Sequence, residues 1–179
     1  MSSTDSSSVP EPTPGDRLTG WLAGLVRSRD YGQLAALRRP RALTTSHILA
    51  SAYAPTEAQR EVFEQVAFLF AVYHRGASQP SYGFGSLGAA ARRIGSPAAR
   101  GPKDPGASRL VDRLVSSRRI PWRHLQHAVE RLRACDVPPP AWSRLVDDLT
   151  AWGERGRPVH RQWAHDFHIS TYTPKDSSQ

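Results

Sequence analysis

Thr56–Tyr73, TEAQREVFEQVAFLFAVY, is the stretch on which the fold turns. Val62, Phe63, Val66, Ala67 and Phe70 recur at the three- and four-residue spacing of a single helical face. Phe68, Leu69, Val72 and Tyr73 make the same helix apolar on nearly every other side. A helix of that kind has to be buried, so it is expected to be the central post of the N-terminal half. Thr56, with Gln59 three residues later, predicts a capping box that opens the helix at Thr56.

The same period runs outward in both directions. Upstream, Leu18, Trp21, Leu22, Leu25 and Val26 form one stripe behind Asp16, which is expected to cap it. Asp30 is expected to cap a shorter helix through Leu34 and Leu37, stopped by Pro40. Downstream, Ser86 predicts a cap for Leu87, Ala90, Ala91 and Ile94, with Gly95 as the stop. Gly95–Gly106, GSPAARGPKDPG, then reads as a mobile linker and domain boundary.

Beyond it, Leu110, Val111, Leu114 and Val115 mark another helix. Pro121, suited to a first helical position, leads into Leu125, Ala128, Val129 and Leu132. Trp142, Leu145, Val146, Leu149 and Trp152 form a further stripe, and Val159, Trp163 and Phe167 a last one. No segment alternates with period two for long enough to make a strand. The expected fold is all-α, two small helical bundles joined by a Pro/Gly-rich loop. Residues 15–95 and 107–169 are the bundles, 96–106 the flexible linker, and 1–14 and 170–179 disordered tails rich in Ser, Thr and Pro.

Composition narrows the function. Cys135 is the single cysteine, so no disulfide framework can form within one chain, which fits a reducing cytoplasm. The Ser- and Pro-rich start is not that of a signal peptide, and no apolar run approaches the roughly 20 residues of a membrane span. The net charge is +8, and its placement is uneven. Between Gly85 and Arg133 eleven Arg or Lys residues face only Asp104, Asp112 and Glu130, so this stretch carries the whole surplus. Such a field favours a polyanion, because each neutralised phosphate releases counterions. Arginine outnumbers lysine 22 to 2; coding bias can account for the ratio but not for the clustering.

Several tempting motifs fail on context. Gly83, Gly85 and Gly88 spell G-x-G-x-x-G, but a loop rather than a strand precedes them and no ribose-binding acid follows. His160, His165 and His168 crowd the last helix without a fourth ligand at zinc-like spacing, so they are expected on the surface or beside Trp163. Asp147 and Asp148 diverge by about a hundred degrees on a helix and cannot face each other as an acid–base pair. They are expected as a solvated face or an ion pair with Arg144. Cys135 has no neighbouring His and no helix start to activate it. No metal, no cofactor and no catalysis are expected.

The basic side chains point elsewhere. Arg109 and Arg113 stand at i, i+4 beside the Leu110–Leu114 stripe, presenting two guanidiniums along its edge. Arg118 and Arg119 follow at a turn, Arg123 and Arg131 on the next helix, and Arg92 and Arg93 close the helix before the linker. Guanidiniums hold phosphate bidentately and stack on unpaired bases.

Taken in order, the pieces resemble the CasB family, the small subunit of the type I-E CRISPR surveillance complex, Cascade. The similarity rests on Leu37-Arg38-Arg39, Leu69-Phe70-Ala71 and Ser86-Leu87-Gly88, and on the Arg-bearing helix from Arg109 to Val115. It continues through a basic helix near Trp122, Asp148-Leu149-Thr150-Ala151-Trp152 and Trp163-Ala164-His165-Asp166-Phe167. The resemblance implies two helical bundles, no enzymatic activity, and two copies in a complex with other Cascade subunits and guide RNA. It also implies basic faces that stabilise the target and displaced DNA strands of an R-loop, with Arg38, Arg39 and Arg109 at positions the family keeps basic. Leu125-Gln126-His127 departs from the Leu-Arg-Arg of relatives, which shifts phosphate contact on that helix to Arg123 or Arg131. Two other classes fit the residues less well. A helical nucleic-acid-binding regulator outside CRISPR would need a short Gly turn joining two helices, and a metal-dependent nuclease would need clustered carboxylates; the sequence has neither.

Overall fold

The computed structural model describes residues 10–39 and 43–169. Nine α-helices occur among them: α1 Pro14–Arg27, α2 Tyr31–Leu37, α3 Thr45–Ser51, α4 Arg60–Tyr73, α5 Leu87–Ala91, α6 Pro105–Ser116, α7 Trp122–Ala134, α8 Trp142–Thr150 and α9 Pro158–His168. The chain is all-α apart from one small hairpin. Pro40, expected to stop α2, and the parts of the expected tails at 1–9 and 170–179 lie outside the described residues.

α4 is the post its composition demands. Its residues from Val66 to Ala71 are all buried, and α1, α2, α3, α7 and α8 pack around it. α1 lies on α8, α5 on α9, and α6 against both α7 and α9. Helices from either side of residues 96–106 therefore contribute to one continuous cluster of buried side chains, from Leu18 to Phe167.

Helix starts differ from expectation in instructive ways. α1 begins at Pro14, inside the expected tail, because Thr13 is the cap. The Thr13 hydroxyl accepts from the Asp16 N–H at 3.1 Å while the Asp16 carboxylate accepts from the Thr13 N–H at 3.0 Å. Asp16 is thus the third residue of a capping box rather than the cap itself. At Thr56 no side-chain cap forms; a single 3-10 turn over Glu57–Gln59 leads into α4 at Arg60. Asp30, Ser86 and Asp104 do cap their helices, accepting from the N–H groups of Gln33, Ala89 and Ala107. α3 carries no clear stripe in the sequence. It is held by a capping box between Thr44 and His47, and Ile48 and Leu49 stay exposed.

Within the Pro/Gly-rich stretch, Gly95–Ser96 pairs antiparallel with Ala99–Arg100, the register being Gly95 to Arg100 and Ser96 to Ala99. A 3-10 turn over Gly101–Lys103 then delivers Asp104 to cap α6. Gly101 is buried, its N–H bonded to the Ile94 carbonyl at 2.8 Å.

Candidate nucleic-acid interface

α6 and α7 are built so that burying one face of each leaves a basic groove between them. α6 turns Leu110, Val111 and Leu114 inward, which sends Arg109 and Arg113 to its exposed edge. α7 buries Leu125, Ala128, Val129 and Leu132, leaving Arg123, His124, His127 and Arg131 along the flank that faces α6. These six side chains, with Gly106 and Leu110, line a groove of about 690 Å³.

The charge in that groove is nearly uncompensated. Arg131 is tethered to Asp104, Nη2 to Oδ1 at 3.3 Å. The same carboxylate caps α6, and the Ala107 N–H bond, then Arg131, holds it below the ordinary Asp range. Arg109, Arg113 and Arg123 have no carboxylate partner within ion-pair distance among the described residues. Three free guanidiniums and two imidazoles on one concave surface can grip a phosphate chain, and no convergent acid and base is there to cleave one.

The other expected contact residues are dispersed. Arg38, half-buried at the C-cap of α2, lies with Arg75 and Arg133 around a second concavity of about 420 Å³. Arg92 donates to the Phe167 carbonyl at 2.7 Å, at the end of α9, and borders a third concavity with Arg100, Lys103 and His168. Arg93 lies 4.1 Å over the Phe84 ring, and burial lowers its pKa. Its role in the fold is therefore packing. Arg39, Arg118 and Arg119 are exposed and line none of these three concavities. Arg75 stands outside the basic stretch and carries no sequence signal of its own, and Arg133 enters only through the charge surplus.

The remaining motifs resolve into architecture. Gly83 sits at φ +70° with Pro140 so close that a Cβ would fall 2.1 Å from its carbonyl oxygen. Around it the Phe84 N–H donates to the Pro139 carbonyl, and the Ala141 and Trp142 N–H groups donate to the Gly85 and Tyr82 carbonyls. Gly88 lets α5 touch α9, where a Cβ would lie 2.0 Å from the Trp163 carbonyl oxygen. His165 and His168 are exposed, whereas His160 is buried beside Trp152 rather than Trp163, and bonded to the Ser117 carbonyl at 3.0 Å. Among the described residues no group of three or more His, Cys, Asp or Glu could hold a metal ion. No described helix is long and apolar enough to cross a membrane.

Sequence fragments far apart meet at one junction: the Ser86 hydroxyl donates to Asp166, and the Trp163 indole to Asp148. That arrangement has counterparts in known proteins. The family model of CRISPR-associated protein Cse2 matches residues 33–168. A chain of a CRISPR RNA-guided surveillance complex superposes with TM-score 0.68 at 28% identity, over 87% of this chain and 90% of that one. CasB from Thermobifida fusca gives 0.69 at 20% identity, covering 86% and 94%, and M. ruber CasB gives 0.64 at 19%, covering 88% and 93%. No curated protein has significant sequence similarity to the chain. With three-quarters of its length matched by the family model and the same fold in these structures, the chain belongs to the Cse2/CasB family of CRISPR-associated proteins.

Proposed function

We propose that this protein is a non-catalytic subunit of a type I-E Cascade complex. In this reading its α6–α7 groove holds nucleic-acid backbone and stabilises the target and displaced DNA strands of the R-loop. The observation that carries the reading is the convergence of Arg109, Arg113 and Arg123, free of acidic partners, on one groove. Exchange of a DNA duplex for a guide–target heteroduplex is nearly balanced in free energy, so modest backbone contacts tip it. Such contacts need no base-reading geometry, and the groove offers charge along its length rather than a fixed pattern of donors. Partners in this reading are the other Cascade subunits, guide RNA, both DNA strands and a second copy of the chain, all in the cytoplasm.

The test is reconstitution of the complex with guide RNA and either the wild-type chain or Arg109→Gln/Arg113→Gln/Arg123→Gln. The variant should assemble, because these side chains lie outside the buried cluster. It should open a matched duplex less stably, read as lower permanganate reactivity of the displaced strand. Equal reactivity with both proteins would contradict the proposal.

A further inference from the structure

α7 is a ridge with basic side chains on two flanks. One flank, with Arg123, His127 and Arg131, faces the α6 groove. The other, with Gln126, Glu130 and Arg133, faces α2 and α4, where Arg38, Arg75, Phe68 and Val72 complete a separate concavity of about 420 Å³. We propose that this concavity, rimmed by Arg38, Arg75 and Arg133, is a second phosphodiester-binding site, so that one chain holds nucleic acid on both sides of α7.

Three features carry it. The first is charge: three guanidiniums converge, and no carboxylate comes within ion-pair distance of any of them among the described residues. Glu130, the acid at the rim, accepts instead from the Gln126 amide at 2.9 Å. Like charges held together in a partly dry concavity destabilise one another, and a bound anion relieves that repulsion. The crowding is visible at Arg38, where burial, then Arg75 and Arg133, lower the guanidinium pKa.

The second is rigidity. Arg133 donates to the Arg75 carbonyl at 2.9 Å, pinning the end of α4 to α7. Arg38 is fixed at the C-cap of α2, so the three side chains leave ordered backbone from three elements. That lowers the entropy lost when they close on a ligand.

The third is position. The two concavities are separated by one helix, roughly 10 Å across. Phe68 and Val72 add an apolar wall beside the guanidiniums, the pairing that takes a phosphate and an unpaired base together. A polyanion with a charge at every unit suits two basic concavities flanking a shared ridge better than an isolated acidic side chain does.

This inference rests on the nucleic-acid reading of the protein but not on the α6–α7 groove. The experiment is anisotropy of a labelled 20-nucleotide oligo-dT with the full chain across a salt series. It compares wild type, Arg75→Gln, Arg38→Gln and the triple variant of the α6–α7 groove. Arg75 is exposed and its side chain makes no hydrogen bond among the described residues, so Arg75→Gln should keep the wild-type melting temperature. Arg75→Gln and Arg38→Gln should each weaken binding about three- to tenfold and lower the salt slope by about 0.7. Their effect should add to that of the groove variant. If both bind as wild type does at every salt concentration, the second site is refuted. If they weaken binding and the groove variant does not, the second site stands and the α6–α7 reading fails. Arg75→Gln that binds oligo-dT normally but no longer co-purifies with Cascade subunits would assign the concavity to an acidic protein surface and overturn the proposal.

Discussion

The indole N–H of Trp163 donates to the Asp148 carboxylate at 2.6 Å, tying α9 to α8. Burial pushes the Asp148 carboxyl above its ordinary range, against the Trp163 hydrogen bond and the nearby Arg144 guanidinium. What the junction requires at this position is therefore an acceptor more than a charge. Asp148→Asn should leave stability within about 0.5 kcal/mol of wild type, while Asp148→Ala, which strands the indole N–H, should cost about 1–3 kcal/mol. Urea denaturation separates the two; an Asn variant as damaged as the Ala variant would show that the ion pair with Arg144 holds the junction.

Close contact between α5 and α9 gives a sharper contrast. Gly88→Ala would put a methyl 2.0 Å from the Trp163 carbonyl oxygen, so the helices must separate. A loss of about 3 kcal/mol is expected, lowering the melting temperature by roughly 6–12 °C for a chain of this size. Gly20→Ala in α1 meets nothing within 4 Å and should stabilise by about 0.5–1 kcal/mol. Calorimetry on the pair checks both signs at once.

Folding stability should depend on His74. Its ring is buried against Phe70, Nδ1–H donates to the Phe70 carbonyl at 2.9 Å, and Nε2 accepts from the Ser81 N–H at 2.8 Å. Both nitrogens are committed to the neutral ring, and burial lowers the pKa from 6.5 to about 4. The unfolded chain binds this proton first as pH falls, so stability is full above pH 6.5 and declines toward pH 4. By about pH 5 the loss should reach roughly 2 kcal/mol. His160, also lowered chiefly by burial, acts in the same direction. Denaturation at about pH 7 and about pH 5 should show a smaller difference for His74→Gln than for wild type. An unchanged difference would rule His74 out as the source.

How far the sequence discloses this structure follows from how local each cause is. α4 is legible because Phe63, Phe70 and their neighbours repeat within one helix, and the caps at Asp30 and Ser86 need only a short span of chain. α3 is not, since its seven residues leave Ile48 and Leu49 exposed and only Thr44 hints at a start. The fold of 95–104 hides behind its Pro and Gly content, because Gly101 is fixed by the Ile94 carbonyl and by proximity to Arg92, not by its neighbours in sequence. The same division applies to the arginines. Arg109 and Arg113 share an edge by helical spacing alone. Arg118 and Arg119, adjacent to the same cluster in sequence, stand outside the groove, while Arg38, Arg75 and Arg133 meet only through packing of three helices.

Purified protein should neither cleave nor modify DNA or RNA with Mg²⁺, Mn²⁺ or Zn²⁺ present. Asp166 bonds Ser86 and Gln162, and His160 is buried, so the His-rich end of α9 is organised for packing. Nicking that persists through purification and vanishes in His165→Ala/His168→Ala would contradict this.

The salt dependence of single-strand binding by the isolated chain tests the central claim most directly. Two unrelated oligonucleotides should bind wild type with similar affinity, and affinity should fall steeply with salt. Arg109→Gln/Arg113→Gln/Arg123→Gln should weaken both alike and flatten the slope by up to about two units, at roughly 0.7 for each phosphate no longer neutralised. Arg155→Gln/Arg161→Gln, which removes two exposed charges elsewhere, should change little. If the groove and control variants lose affinity equally, the basic groove between α6 and α7 is not the binding site.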